Sequence, residues 1–252
     1  MRIFNGLIAV ARDVLPPDHP HHRDLEEHRS ANGMQPSREL SSNAEIRLAK
    51  LLTTGAVQVL LKLPDQIEAT AFEPNCSRKD RVARLAHAFL LGLKLDHPGL
   101  TEKQSARMNL TCDIVINQGK KYLHLSPLVR GGQCTVEPMT EESSQRLERL
   151  FSVKRQTGLS SPLLFPSREE NFGDGSSCRK LRGTANVMQC LYADIQAATG
   201  LKLTFTDIKD LVVRVLLESG IEPFVVARRA GYKHLRSVEQ RMAAFFRAVG
   251  PS

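Results

Sequence analysis

Between residues 110 and 138 the helical spacing of apolar residues stops, and this interruption constrains the fold more than any other feature of the chain. Three short β-prone runs stand there, Asp113-Ile114-Val115-Ile116, Tyr122-Leu123-His124-Leu125 and Cys134-Thr135-Val136. They are divided by Asn117-Gln118-Gly119 and Arg130-Gly131-Gly132. Asparagine and glycine tolerate positive φ, so both dividers read as turns and the three runs as an antiparallel meander. Helical patterns lie on both sides of the meander. The expected fold class is α+β, mainly helical, with a small three-stranded antiparallel sheet and not a parallel, doubly wound one.

Residues 2–14 read as a short amphipathic helix stopped by Pro16-Pro17, because proline lacks an amide proton and crowds the preceding turn. The polar stretch that follows, to about residue 41, has the composition of a linker. Ser42 or Asn43 can cap a helix from Ala44, with Ile46, Leu48, Leu51 and Leu52 on its apolar face. A helix is predicted over 79–93, where Val82, Leu85, Ala86, Phe89, Leu90 and Leu93 recur at three- and four-residue steps. Another is predicted over 140–154, with early carboxylates at Glu141 and Glu142.

The segment Glu169–Ser177 reads as a polar loop. Thr206 or Asp207 is the expected cap of a helix whose Ile208, Leu211, Val212, Val215 and Leu216 form a buried stripe, stopped at Ser219-Gly220. Pro223 suits the first turn of a short helix ending near Gly231. Ser237 and Gln240 have capping-box spacing for a last helix in which Met242, Phe245, Phe246 and Val249 share a face.

The chain has 252 residues, and 35 Lys plus Arg against 27 Asp plus Glu leave a formal charge of +8, which favours polyanionic partners. No stretch approaches the roughly 20 apolar residues that cross a bilayer, and the first residues lack a secretory signal, so a cytoplasmic location is expected. The 5 cysteines, Cys76, Cys112, Cys134, Cys178 and Cys190, form no CxxC pair. His19, His21, His22 and His28 lie in a proline-broken polar segment that reads as linker more than as a metal site. No metal or other cofactor is expected.

Several strings in this order resemble the catalytic domain of tyrosine recombinases, the phage-type integrases. Leu91-Gly92-Leu93 is similar to the end of that family's first helix, Cys112-Asp113-Ile114 to the start of its sheet, and Arg130–Val136 to its β-turn. Leu163-Leu164-Phe165-Pro166 and Thr199-Gly200-Leu201 match its punctuation. The closest likeness is Gly220–Phe246, which has the spacing of its Gly-His segment and tyrosine helix. The resemblance covers about residues 44–246 and implies two parts. Residues 1–43 correspond to the tail of a core-binding domain, and residues 44–252 to a catalytic domain.

The chemistry implied by the resemblance needs a tyrosine hydroxyl to attack a DNA phosphate, two arginines to hold its oxygens, and Lys and His groups for proton transfer. This chain departs from that set. The first arginine aligns with Lys94, or less well with Val57, and the turn lysine with Arg130. The His-x-x-Arg pair becomes Thr206 and Lys209, and the histidine after glycine becomes Tyr232. The nucleophile position falls on Met242, with Arg241 as the one-residue alternative; neither thioether nor guanidinium attacks phosphate.

Arg228, Arg229, Lys233, His234, Arg236 and Arg241 form a basic cluster opposed within it only by Glu239. With Arg130 and Lys209 they are the expected phosphate contacts on double-stranded DNA. The resulting expectation is a DNA-binding relative that does not cut DNA, tied to a mobile element and working with an active recombinase or with further copies of itself. Two alternatives stay open. One is a helix-turn-helix regulator built from Phe224–Phe246, which would leave the meander unexplained. The other is an active recombinase with an atypical nucleophile, for which Tyr232 is the main rival, with Tyr122 and Tyr192 outside the matching segment.

Overall fold

Ser77 starts the helix around which the other elements are arranged: its hydroxyl accepts the Asp80 N–H at 3.1 Å and donates to the Asp80 carboxylate at 2.6 Å. The structure, a computed structural model, describes residues 55–125, 135–165 and 183–232, with Leu235 and Val238. All belong to one unit of the chain, Ser42–Ser252. The helix expected before residue 14, the linker, the helix from Ala44, the turn at Arg130, the loop 169–177 and the last helix from Ser237 lie outside the described residues.

In chain order the described elements are α1 (Ala56–Ala71), α2 (Arg78–Asp96), α3 (Glu102–Ala106), β1 (Ile114–Asn117), β2 (Lys120–Leu125), β3 (Thr135–Pro138), α4 (Glu141–Gln156), α5 (Gly183–Thr199), α6 (Phe205–Glu218) and α7 (Pro223–Arg229). The mainly helical α+β class with a three-stranded antiparallel sheet is the observed one, in the order β1-β2-β3. Ile114 pairs with Leu123 and Leu123 with Glu137, and all three are buried on one face. Gln118 and Gly119, at φ 50 and 77, make the two-residue turn between β1 and β2.

The periodic pattern of α2 predicts one apolar face, yet every residue from Leu85 to Lys94 is buried. Helices α1, α4 and α6 all pack on it, so no side is left for water. Gly92 leaves room for Arg146 of α4, whose guanidinium nitrogen lies 2.9 Å from where a Cβ would stand.

Helix α1 has no counterpart in the sequence expectations, and a proline stands inside it. Gly55 enters the helix in the left-handed conformation, at φ 68, and Pro64 sits inside it. Proline within a helix costs about 3 kcal/mol. Leu60, Leu63, Ile67 and Ala71 are buried along the same helix, and each large apolar side chain buried is worth about 1.5–3 kcal/mol, which outweighs the break. Arg146 and Arg149 of α4 reach back to Asp65 and Glu68 of α1.

Helix α6 starts two residues earlier than expected. Thr204, not Thr206 or Asp207, is the cap; Asp207 occupies the third helical position and returns its carboxylate to the Thr204 N–H at 2.8 Å. The buried stripe also shifts. Phe205, Ile208 and Leu211 join the main core, Val213 joins a small cluster with Val226 and Ala230 of the α7 region, and Val215 is exposed.

Candidate nucleic-acid interface

Three segments meet at the start of α6: the turn 97–101 after α2, the first two turns of α6, and α7 with Gly231-Tyr232. Thr101 caps α3 through a reciprocal capping box with Gln104, which fixes the turn from one side. From the other side the Gly99 N–H donates to the Arg229 carbonyl at 3.1 Å. A Cβ on Gly99 would stand 2.8 Å from that carbonyl oxygen, so only glycine admits the approach. Helix α7 then ends where Gly231 turns left-handed at φ 66, and the Tyr232 N–H closes on the Ala227 carbonyl at 2.8 Å.

Lys94 lies in the last turn of α2 and points inward. Its ammonium group donates to the Pro98 and Leu100 carbonyls, both at 2.7 Å, and stands 5.1 Å from the centre of the Phe205 ring. Its residue is 2 % exposed. Burial, then the nearby Lys209 charge, push its pKa down to about 7 against the opposing pull of Asp210 and Glu102. Lys94 is therefore a clamp on the turn 97–101 and does not present a cation to a surface-bound phosphate.

Lys209 is half-buried, with its ammonium 3.8 Å from the centre of the Tyr232 ring. The Tyr232 hydroxyl lies 3.4 Å from an Asp210 carboxylate oxygen, at the outer limit for a hydrogen bond, and Asp210 is buried. Below this pair the Tyr192 hydroxyl donates to Glu102 and accepts the Phe205 N–H at 3.2 Å. Desolvation and the Glu102 contact raise the Tyr192 pKa well above the usual phenol value, so it is a locked structural hydroxyl.

Of the residues singled out in the sequence, Lys94, Lys209 and Tyr232 are thus brought into one neighbourhood, with Lys94 on its buried side. Thr206 is exposed on the first turn of α6, Arg228 is exposed and Arg229 half-buried on α7. Val57 sits in the first turn of α1. Arg130, Lys233, His234, Arg236, Arg241 and Met242 lie outside the described residues.

Sequence reasoning missed Asp210 and the string Gly99-Leu100-Thr101. The Gly92-Leu93-Lys94 string that carried the alignment lies within α2, which runs on to Asp96. The similar Gly-Leu-x string seven residues further on, Gly99-Leu100-Thr101, is the one at the turn against Gly231. Its signal was His97-Pro98-Gly99, a break placed directly before a capping-box pattern. Among the described residues no group of His, Cys, Asp and Glu is placed to hold a metal ion, and no helix is long and apolar enough to cross a membrane.

No protein-family profile and no curated protein matches the chain. Solved structures do. The XerH site-specific recombinase bound to difH substrate, in a pre-cleavage complex, superposes with a TM-score of 0.51 at 12% identity, over 74% of this chain and 48% of that one. XerH bound to a palindromic difH substrate, in a post-cleavage complex, gives 0.54 at 11% identity, over 86% and 54%. The chain spans about half the length of these recombinases. At such identity the likeness is one of fold: a tyrosine-recombinase-like domain, mainly helical, with the small antiparallel sheet.

Proposed function

We propose that this chain is a DNA-binding protein on the recombinase fold that does not itself break DNA strands. The observation that carries the reading is Lys94. At the aligned position of the first phosphate-holding arginine stands a shorter cation that is turned into the core and committed to two carbonyls. Thr101, at the neighbouring turn, is an uncharged capping residue. An arginine holds a phosphoryl group through two parallel N–H bonds, and neither side chain reproduces that fork. Thr206 and Lys209 replace the His-x-x-Arg pair, and Met242 or Arg241 stands where a hydroxyl nucleophile is needed. Loss of the nucleophile together with its activating groups removes the covalent route and does not merely slow it.

What is left is charge. Lys209 and the exposed Arg228 lie on neighbouring helices, and with Arg229, Lys233, His234, Arg236, Arg241 and Arg130 they form the phosphate-binding set of this reading. Double-stranded DNA is the partner, bound weakly and with little sequence preference. The chain acts beside an active recombinase or as several copies, in the cytoplasm, in the context of a mobile element.

Fluorescence anisotropy with a labelled duplex tests the reading. Log affinity should fall linearly with log salt, by about 0.9 for each phosphate neutralised. Joint replacement of Arg228, Arg229 and Arg236 by alanine should weaken binding and make that slope shallower in a protein that stays folded. Absence of binding at low salt refutes DNA binding as the function.

One observation favours a second reading, an active enzyme: the Tyr232 hydroxyl stands beside a buried carboxylate, Asp210. A nicked suicide substrate separates the two. A covalent protein–DNA adduct that disappears in Tyr232→Phe establishes the enzyme, and no adduct is expected. The helix-turn-helix alternative accounts for neither the sheet nor α1 to α4.

A further inference from the structure

Helix α7 buries Val226 and Ala227 and turns a different face outward. On that face Phe224 and Val225 stand four and three residues before Arg228, the spacing of one helical stripe, and Ile221 lies exposed just before the N-cap Glu222. Phe224 is 68 % exposed, Val225 40 % and Ile221 36 %. Single exposed apolar residues need no explanation, but a phenylalanine two-thirds exposed within such a stripe on a helix of seven residues does.

We propose that Phe224 is an apolar contact to DNA, its ring set against sugar and base while Arg228 one turn later takes a phosphate. The proposal rests on the DNA-binding reading above and adds to it a contact that is not electrostatic. Charge selects the occupant. Between Ser219 and Tyr232 the basic residues are Arg228 and Arg229 and the one acidic residue is Glu222; Glu218, just before, is paired with Arg214 at 2.6 Å. The outward face of α7 therefore has its N-cap Glu222 at one end, an apolar middle and a cationic end at Arg228. A phosphate fits only the cationic end, which leaves the ring to meet what lies beside a phosphate in a strand.

Helical rise separates Phe224 from Arg228 by about 6 Å, and i,i+4 side chains stand one above the other. That span is about two steps of 3.4 Å measured along the duplex axis. Phe224 and Arg228 can thus touch the same strand at once. Apolar side chains offered beside basic ones enter between base steps or stack on unpaired bases, and every base has a face to offer, so the contact adds affinity with little sequence preference.

The test uses the full chain and a duplex carrying 2-aminopurine, with binding followed over a salt series. Because Phe224 is exposed, Phe224→Ala should fold as the parent does, which circular dichroism checks; Phe224→Leu keeps an apolar side chain without the ring. The expected result is about ten-fold weaker binding for Phe224→Ala with an unchanged salt slope, an intermediate loss for Phe224→Leu, and 2-aminopurine brightening with the parent chain only. Arg228→Ala should instead flatten the slope by about 0.9. Parent-like affinity of Phe224→Ala, while Arg228→Ala still weakens binding, overturns the proposal and leaves the DNA-binding reading intact. So does a Phe224→Ala protein that binds DNA normally but no longer self-associates in sedimentation, which would assign the stripe to contacts between copies. Failure of the parent chain to bind duplex at low salt overturns both.

Discussion

Replacing Lys94 by methionine should change how the stability of this protein depends on pH, and the direction follows from its burial. The folded-state pKa is about 7, against 10.5 for an exposed lysine. Between those values the unfolded chain holds a proton that the folded chain has released, so stability rises with pH through this window. The penalty is present in full below about pH 7 and is gone above about pH 10.5. Each pH unit inside the window is worth up to about 1.4 kcal/mol, so the parent chain should gain about 2 kcal/mol from pH 7 to pH 9 on account of this one group. A neutral amine keeps two N–H groups, enough for the Pro98 and Leu100 carbonyls, so deprotonation loses neither hydrogen bond. Methionine has no proton to release and lacks this gain; the two carbonyls it leaves without a donor shift its stability by an amount that does not vary with pH. Urea unfolding of both proteins at pH 7 and pH 9 gives the difference directly, because every other titrating group is common to both. Parallel changes in the two proteins would refute the burial argument for Lys94.

His87 offers the acid counterpart. Burial, with the Arg84 charge second, lowers its pKa from 6.5 to about 4, so near neutral pH an uncharged imidazole faces Asp194 at 3.8 Å. The folded chain resists protonation there, and stability should fall as pH drops from about 6.5 to 4; His87→Leu should remove about 3 kcal/mol of that loss, seen in urea titrations at the two pH values. Gly99→Ala should dislodge α7, since its Cβ meets the Arg229 carbonyl 2.8 Å away, and destabilise by about 1–3 kcal/mol while weakening DNA binding; hydrogen exchange should show lost protection at Tyr232 and at Gly99 itself. Thr204→Ala, which removes the α6 cap, should cost about 1 kcal/mol in chemical unfolding, whereas Thr206→Ala should be near neutral.

Local signals decided most of the described elements. Alternation and turn residues announced β1, β2 and β3, and the spacing of apolar residues announced α2 and α6, because each of these patterns reports a face that a single element must bury; the early carboxylates Glu141 and Glu142 announced α4. The basic residues on α7, Arg228 and Arg229, were legible for the same reason: charge is a property of the residue. Tertiary structure decided what distant segments do to one another. It made α1 a helix across Pro64, since the burial of Leu60, Leu63 and Ile67 against α2 exceeds a local break. It turned Lys94 inward, because the carbonyls that hold it belong to a turn whose position is set by Gly99 lying against Arg229. It also set Lys209 over the ring of Tyr232, 23 residues away. Residue type and spacing carry propensity and charge; the direction of a side chain, and the water left around it, depend on neighbours that only packing brings together.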